Sequence, residues 1–404
     1  MADKFIKSIT FVEGGDQYYP LPKVTNADDG KVLKVVDGVW SLDDLIPPPY
    51  LSFLGNEDFT LKTGNTTKNW DGTLEYSTDK LNWTTWSGAE ISSAGSKLYL
   101  RGTGNTKITG SSSNYRFVFT GTDNLKIACE GNIENLLDYT TVSAGDHPTM
   151  TGDCYSNMFY GCTSLTTAPT LPATTLAEYC YYYMFSGCTS LTTAPTLPAT
   201  TLANNCYRYM FRGCTSLTTA PALPATTLAN YCYNYMFNGC TSLTTAPELP
   251  ATTLANNCYN YMFRGCTSLT TAPSLPATTL AVNCYGNMFE SCTSLTTAPA
   301  LPATTLAGNC YQNMFRGCTS LTTAPALPAT TLADGCYNSM FRICTKIKLS
   351  TTKTGEYQTA YRIPKSGTGT TATNALIDMF ASTGGAFTGT PEINTTYYTS
   401  NTVV

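Results

Sequence analysis

The chain has 404 residues, of which only 12% are charged, and a net charge of −4. No block of clustered Lys and Arg exists, which argues against nucleic acid as a partner. No run of about eighteen apolar residues exists, so no membrane span is expected, and the opening MADKFIKSITFVEGGDQYY lacks the apolar stretch and cleavage site of a secretory signal.

Residues 1–49 contain GKVLKVVDGVWSLDD and end in Pro47–Pro48–Pro49. Asp37–Gly38 between two apolar runs predicts a hairpin, and the prolines predict a stiff linker. The phrase carried by Gly30, Lys31, Val32, Leu33, Val35, Val36, Gly38 and Trp40 resembles the N-terminal attachment region of bacteriophage fibre proteins. That resemblance implies docking on a virion capsid or tail protein through Val32, Leu33, Val35, Val36 and Trp40. A plain hairpin without such a role is the alternative.

Residues 50–140 hold short alternating segments ended by Gly, such as KLYLRG, YRFVFTG and NLKIACEG. That spacing predicts a β-sandwich-like domain. The second reading is an open sheet that caps the first coil of the repeats that follow.

From residue 141 to 345 the chain repeats itself. Cysteine recurs every 26 residues in two columns, from Cys154 to Cys336 and from Cys162 to Cys344, and only Cys129 lies outside them. A fixed period of this length predicts a solenoid, here of eight coils. In the coil Cys162–Gly187, SLTTAP and ATTLA read as extended pieces with proline corners. CYYYMFSGC has helical spacing. Cys180, Tyr181, Met184, Phe185 and Cys188 fall within about 140° of the wheel, and the varying Tyr182, Tyr183 and Ser186 fall opposite. Each coil is therefore expected to be one or two short strands and a short helix, with an unchanging inner arc and a variable outer one. On such a helix two cysteines eight residues apart stand about 12 Å from each other, too far to bridge. Buried free thiols fit best, and intercoil disulfides stay open. No C-x-x-C or histidine partner offers a metal site.

The phrase M-F-x-G-C-T-S-L-T followed by L-P is similar to the leucine-rich repeats of the BspA type, over roughly residues 150–345. The resemblance implies a horseshoe or ribbon solenoid used in adhesion and binding. Residues 346–404 are expected to cap it. Their ATNALIDMFAS reads as a helical patch through Ala375, Met379 and Ser382, and the tail resembles the closing segment of phage fibre proteins. The whole is mainly β with short helices.

The variable arc supplies the candidate binding face. Tyr183, Tyr209, Tyr235 and Tyr261 share one column and are expected to form an exposed aromatic surface suited to sugars or protein. Arg212, Arg264, Arg316 and Arg342 share another and suit carboxylates or sulfates. Simple solubilisation of the outer face is the bland alternative. An enzyme is not expected, and no catalytic residue, cofactor or metal is assigned. Glu178 and Asp334 share a column but stand six coils apart, about 29 Å at strand spacing; Glu248 and Glu290 lie in other columns, and the lone His147 has no triad around it. The functional expectation is a virion fibre, on the virion surface, expected to be a homotrimer. It would dock by its N-terminus and bind a host surface glycan or protein through the solenoid. A bacterial surface adhesin with the same face is the alternative.

Overall fold

The computed structural model describes residues 31–36, 39–44 and 49–400. The Asp37–Gly38 turn, Gly30 and Pro47–Pro48 lie outside the described residues. The chain forms two compact units, Met1–Pro48 and Pro49–Val404. In the first, β1 (Lys31–Val36) and β2 (Val39–Asp44) pair antiparallel from Lys31↔Asp44 to Val36↔Val39. The backbone positions of Val32, Leu33, Val35 and Val36 lie on β1 and that of Trp40 on β2, with Val35 opposite Trp40.

The second unit starts with β3 (Leu51–Gly55), β4 (Thr60–Thr63), β5 (Thr73–Ser77), β6 (Thr84–Thr85), β7 (Ile91–Ser92), β8 (Lys97–Thr103), β9 (Phe117–Thr120) and β10 (Ile127–Glu130), then α1 (Asn135–Ser143). Alternation along β3 buries Leu51 and Phe53. A three-stranded sheet has the order β7-β4-β9. Across the gap between sheets, Phe53 meets Phe119 at 5.1 Å and Phe117 at 6.3 Å, and Trp70 stacks on Trp86 at 5.1 Å. Gly102 on β8 is required by packing, since any Cβ there would collide with the Leu136 carbonyl of α1. The larger sheet runs β11-β10-β3-β8-β5-β6, and β11 (Leu165–Thr167) belongs to the first repeat. β10 and β11 are parallel, so the sheet runs directly into the array.

Further bonds make the β region a substitute for a preceding repeat. The amides of Ile108, Phe117, Ile127 and Ile133 donate to the carbonyls of Cys154, Met158, Ser164 and Thr170. Phe53 and Phe117 also touch Phe159, so one hydrophobic core passes from sheet to repeats.

The CYYYMFSGC segment is not a helix. An α-helix sends each amide to the carbonyl four residues back. Here Tyr182, Met184, Ser186 and Cys188 donate three residues back, to Tyr179, Tyr181, Tyr183 and Phe185. The intervening Tyr181, Tyr183, Phe185 and Gly187 donate to the next repeat, to Cys206, Arg208, Met210 and Arg212 at 3.0, 3.1, 2.9 and 2.7 Å. The segment is a ribbon of overlapping turns, stitched sideways. Tyr179, Tyr183 and Gly187 have positive φ, one residue in four. The true period is therefore four rather than 3.6, close enough that the helical wheel still separates inside from outside. Cys180, Tyr181, Met184, Phe185 and Cys188 are all buried. Among the described residues α1 is the one α-helix, and it is kinked at Asp138.

Identical residues stack on their copies. Phe159, Phe185, Phe211, Phe237, Phe263, Phe289, Phe315 and Phe341 form a column with ring spacings of 5.5 to 5.7 Å. Tyr155 to Tyr337 form a second at 5.7 to 5.8 Å. Both core columns are spaced wider than the strand spacing of about 4.8 Å. The extended SLTTAP pieces pair in parallel through Thr167, Thr193, Thr219, Thr245, Thr271 and Thr297.

The tail patch ATNALIDMFAS is not a helix either. Tyr337, Ser339, Phe341 and Ile343 donate to Ala375, Ile377, Met379 and Ala381, as each repeat does to the next. Asn374, Asp378 and Ser382 have positive φ at the matching positions. Phe380 stacks on Phe341 at 5.3 Å. The patch is a further turn ribbon without cysteine, and β12 (Leu349–Ser350), β13 (Thr359–Arg362) and β14 (Thr396–Thr399) form a sheet of order β12-β14-β13 beside it.

The third positive-φ column is Gly161, Gly187, Gly213, Gly239, Gly265, Ser291, Gly317 and Ile343. A β-branched residue there is strained by about 1–3 kcal/mol. Ile343→Gly is expected to raise stability by about 1 kcal/mol, read from chemical denaturation. Phe237→Ala, in mid-column, is expected to cost about 3–5 kcal/mol in the same experiment.

Candidate functional site

Three positions per repeat demand the left-handed conformation, which Asn, Asp and Gly tolerate best. At the middle one stand Asn157, Tyr183, Tyr209, Tyr235, Tyr261, Asn287, Asn313 and Ser339, all with φ between 52 and 60. Four successive tyrosines where asparagine would fit with less strain point to a use for the rings. The rings stack face to face at 4.3, 4.7 and 4.3 Å. They are half-buried rather than exposed as the sequence suggested, because each covers the faces of its neighbours. What they offer a partner is ring edges. Burial and the neighbouring Tyr261 and Tyr209 push the Tyr235 hydroxyl up to about 12.

The arginine column also contains an acid, Glu290. Glu290 lies between Arg264 and Arg316, with one carboxylate oxygen 2.9 Å from each guanidinium. The period puts Glu290 26 residues from both arginines, so the pairing was open to a column-by-column comparison. Arg342 faces Asp378 at 3.6 Å. Arg212 has Ser186 and Asn238 in the adjoining repeats and no acidic partner among the described residues. Arg264 also lies over the Tyr261 ring at 5.5 Å, linking the two columns. Arg208, which the sequence did not single out, lies 5.0 Å from both Tyr209 and Tyr231 and bonds Asn234 and Asn205.

The seventeen cysteines are free and buried. In the second column each thiol from Cys188 to Cys344 donates to the phenylalanine carbonyl 29 residues before it, at 3.0 or 3.1 Å. The thiol acts there as a small apolar group with one hydrogen bond to give. Burial pushes Cys240, Cys258 and Cys292 up to about 12. No group of three or more His, Cys, Asp or Glu suited to a metal occurs among the described residues.

His147 does have a partner. Its Nδ1 lies 2.7 Å from Glu134 Oε2, and the Glu134 side chain is only 2% exposed. Burial raises the Glu134 carboxyl, and the bond to His147 opposes that shift.

Stacked parallel repeats closed by a sheet at one end and a cysteine-free ribbon at the other define a repeat-rich β protein. Its sequence matches six copies of the BspA type leucine rich repeat region, over residues 148–270 and 233–357. These spans cover just over half of the chain, and the chain belongs to that repeat family. The family suggests a surface-binding role. No curated protein and no solved structure matches the chain.

Groups whose folded-state values are raised hold protons that the unfolded chain releases. Their contribution to stability is complete below the ordinary thiol value of about 8.5 and is lost as pH rises toward 12. The expected outcome is unfolding on that alkaline limb, followed by circular dichroism. At pH 8 a thiol reagent is expected to find almost no reactive cysteine in the native protein and all seventeen after guanidinium.

Proposed function

We propose that the chain is a surface-binding fibre protein, in which a solenoid of eight 26-residue coils, capped at both ends, presents its variable arc to a host surface. The observation that carries this reading is the column Tyr183, Tyr209, Tyr235 and Tyr261, held in left-handed backbone and flanked by arginines. Tyrosine supplies rigid contact area with a hydroxyl at its tip, and arginine supplies paired donors for anionic groups. The core does not require either residue, since Asn287 and Asn313 occupy the tyrosine position in later repeats.

Within this reading the N-terminal unit docks on a bacteriophage particle through the β1–β2 hairpin bearing Val32, Leu33, Val35, Val36 and Trp40. The protein is then a virion fibre, head or tail, assembled as a homotrimer. Support comes from the likeness of its GKVLKVVDGVW phrase to fibre attachment segments, and from the separation of that hairpin into its own compact unit. A bacterial adhesin would share the solenoid face but not the particle.

Antibody labelling of particles purified from a lysate, viewed by electron microscopy, tests the virion reading. Discrete label on heads or tails is the expected result. Label on cell envelopes beside bare particles would replace the virion fibre by the adhesin. Light scattering of the purified chain is expected to give three times the chain mass of 43.5 kDa.

A further inference from the structure

The β region and the first repeats part company between two contacts. Phe117 is bonded to Met158 and Ile127 to Ser164, and the chain from Val118 to Lys126 leaves the array between these points. The opening is a cavity of about 520 Å³, within the size range of ligand sites. Arg116 and Lys126 line it with Tyr160, and Asp123 is its one acid. Hydroxyls from Thr122, Thr163, Ser164, Thr189 and Ser190 line it as well. On the other side of Tyr160 lies a shallower opening of about 370 Å³, lined by Gly161, Gly187, Ser186, Arg212 and Asn238. Tyr160 and Gly161 are common to both, so the two openings adjoin at Tyr160 and together make the trough.

Three features of the trough agree. Tyr160 is 36% exposed, whereas the Tyr183 column beside it spends its ring faces on itself. Tyr160 meets Tyr183 edge to face at 5.8 Å, so the trough opens onto the end of that column. Arg212 keeps its charge free of acids, while Arg264, Arg316 and Arg342 each face one. Lys126 gives one hydrogen bond to Ser190 Oγ and Arg116 gives one to the Ser113 carbonyl, so both retain donors.

We infer that this trough is a binding site for an acidic saccharide, one bearing carboxylate or sulfate groups. An exposed ring edge-braced by another tyrosine suits the apolar face of a sugar. Hydroxyl-rich walls suit its OH groups. Cations in both openings, Arg116 and Lys126 in the larger and Arg212 in the smaller, suit its anionic substituents, and arginine binds such groups with two parallel donors. A protein partner would instead need a buried apolar anchor, and the larger opening has mainly polar walls. The inference rests on the surface-binding reading and assigns it a site and a ligand class.

The test is calorimetric titration of the full chain with a heparin-derived tetrasaccharide, an oligogalacturonate and neutral maltotetraose. At least one acidic probe is expected to bind, more weakly as salt rises, and the neutral one is not. Tyr160→Ser and Arg212→Gln, both at the surface, are each expected to weaken binding about tenfold or more, equivalent to about 1.4 kcal/mol, with unchanged circular dichroism. Arg316→Gln, whose partner is Glu290, is expected to change it by less than about twofold, as a surface ion pair would. Absence of acidic-probe binding at millimolar concentration, equal binding of maltotetraose, or full affinity in Arg212→Gln would overturn the assignment. Binding that survives both trough variants but is lost in Tyr235→Asn would sink the trough while leaving the surface-binding reading in place.

Discussion

Along each turn ribbon, every second backbone amide donates to the following repeat, as Tyr181, Tyr183, Phe185 and Gly187 do to Cys206, Arg208, Met210 and Arg212. Those amides cannot close a helix, so the ribbon must turn by other means, and it does so with a left-handed residue every fourth position. The same sideways bonds bring like residues into register, and the register builds the phenylalanine and tyrosine columns. Each ring then buries its faces against its own copies. A repeat alone would leave both its amides and its rings uncovered, which is why stability belongs to the stack. At the N-terminal end the β region accepts this obligation through Ile108, Phe117, Ile127 and Ile133. At the other end the ribbon of Ala375 to Ala381 does so, and its own Phe380 amide closes on Gly389.

Much of this was legible from spacing. The 26-residue period, the buried arc of Cys180, Tyr181, Met184, Phe185 and Cys188, and the variable arc all emerge when the repeats are compared with one another. Helical geometry was the wrong inference, because periods of 3.6 and four residues are hard to separate over nine positions. The distinguishing mark was present in the left-handed columns, where Asn, Asp and Gly recur four residues apart, as at Asn309, Asn313 and Gly317. The ribbon at 372–383 was hidden by its offset of 39 residues and its lack of cysteine, although it keeps Met379–Phe380. The Tyr160 trough was invisible, because it depends on where the chain from Val118 to Lys126 departs from the first repeat.

The candidate face divides its labour. Stacked rings from Tyr183 to Tyr261 are rigid and spend their faces on one another, and Glu290 ties down two of the guanidinium groups. These columns give a partner a firm polar edge. Tyr160 and Arg212 retain the freer ring and the freer charge, and they sit where the array meets the sheet.

A finer pattern underlies the 26-residue one. In the ATTLA row, Thr175 pairs with Thr201, Thr227 with Thr253, Thr279 with Thr305, and Thr331 with Thr370. Leu176, Leu228, Leu280 and Leu332 are buried, while Leu202, Leu254 and Leu306 are half-buried. The buried, unbonded hydroxyls of Tyr181, Tyr233 and Tyr285 recur at that doubled interval too. That row thus pairs repeats two by two, and its last pair is completed by Thr370 of the closing segment. Loss or gain of a single repeat would leave one member of the row without its mate at Thr370. Loss or gain of two would keep every pair of that row.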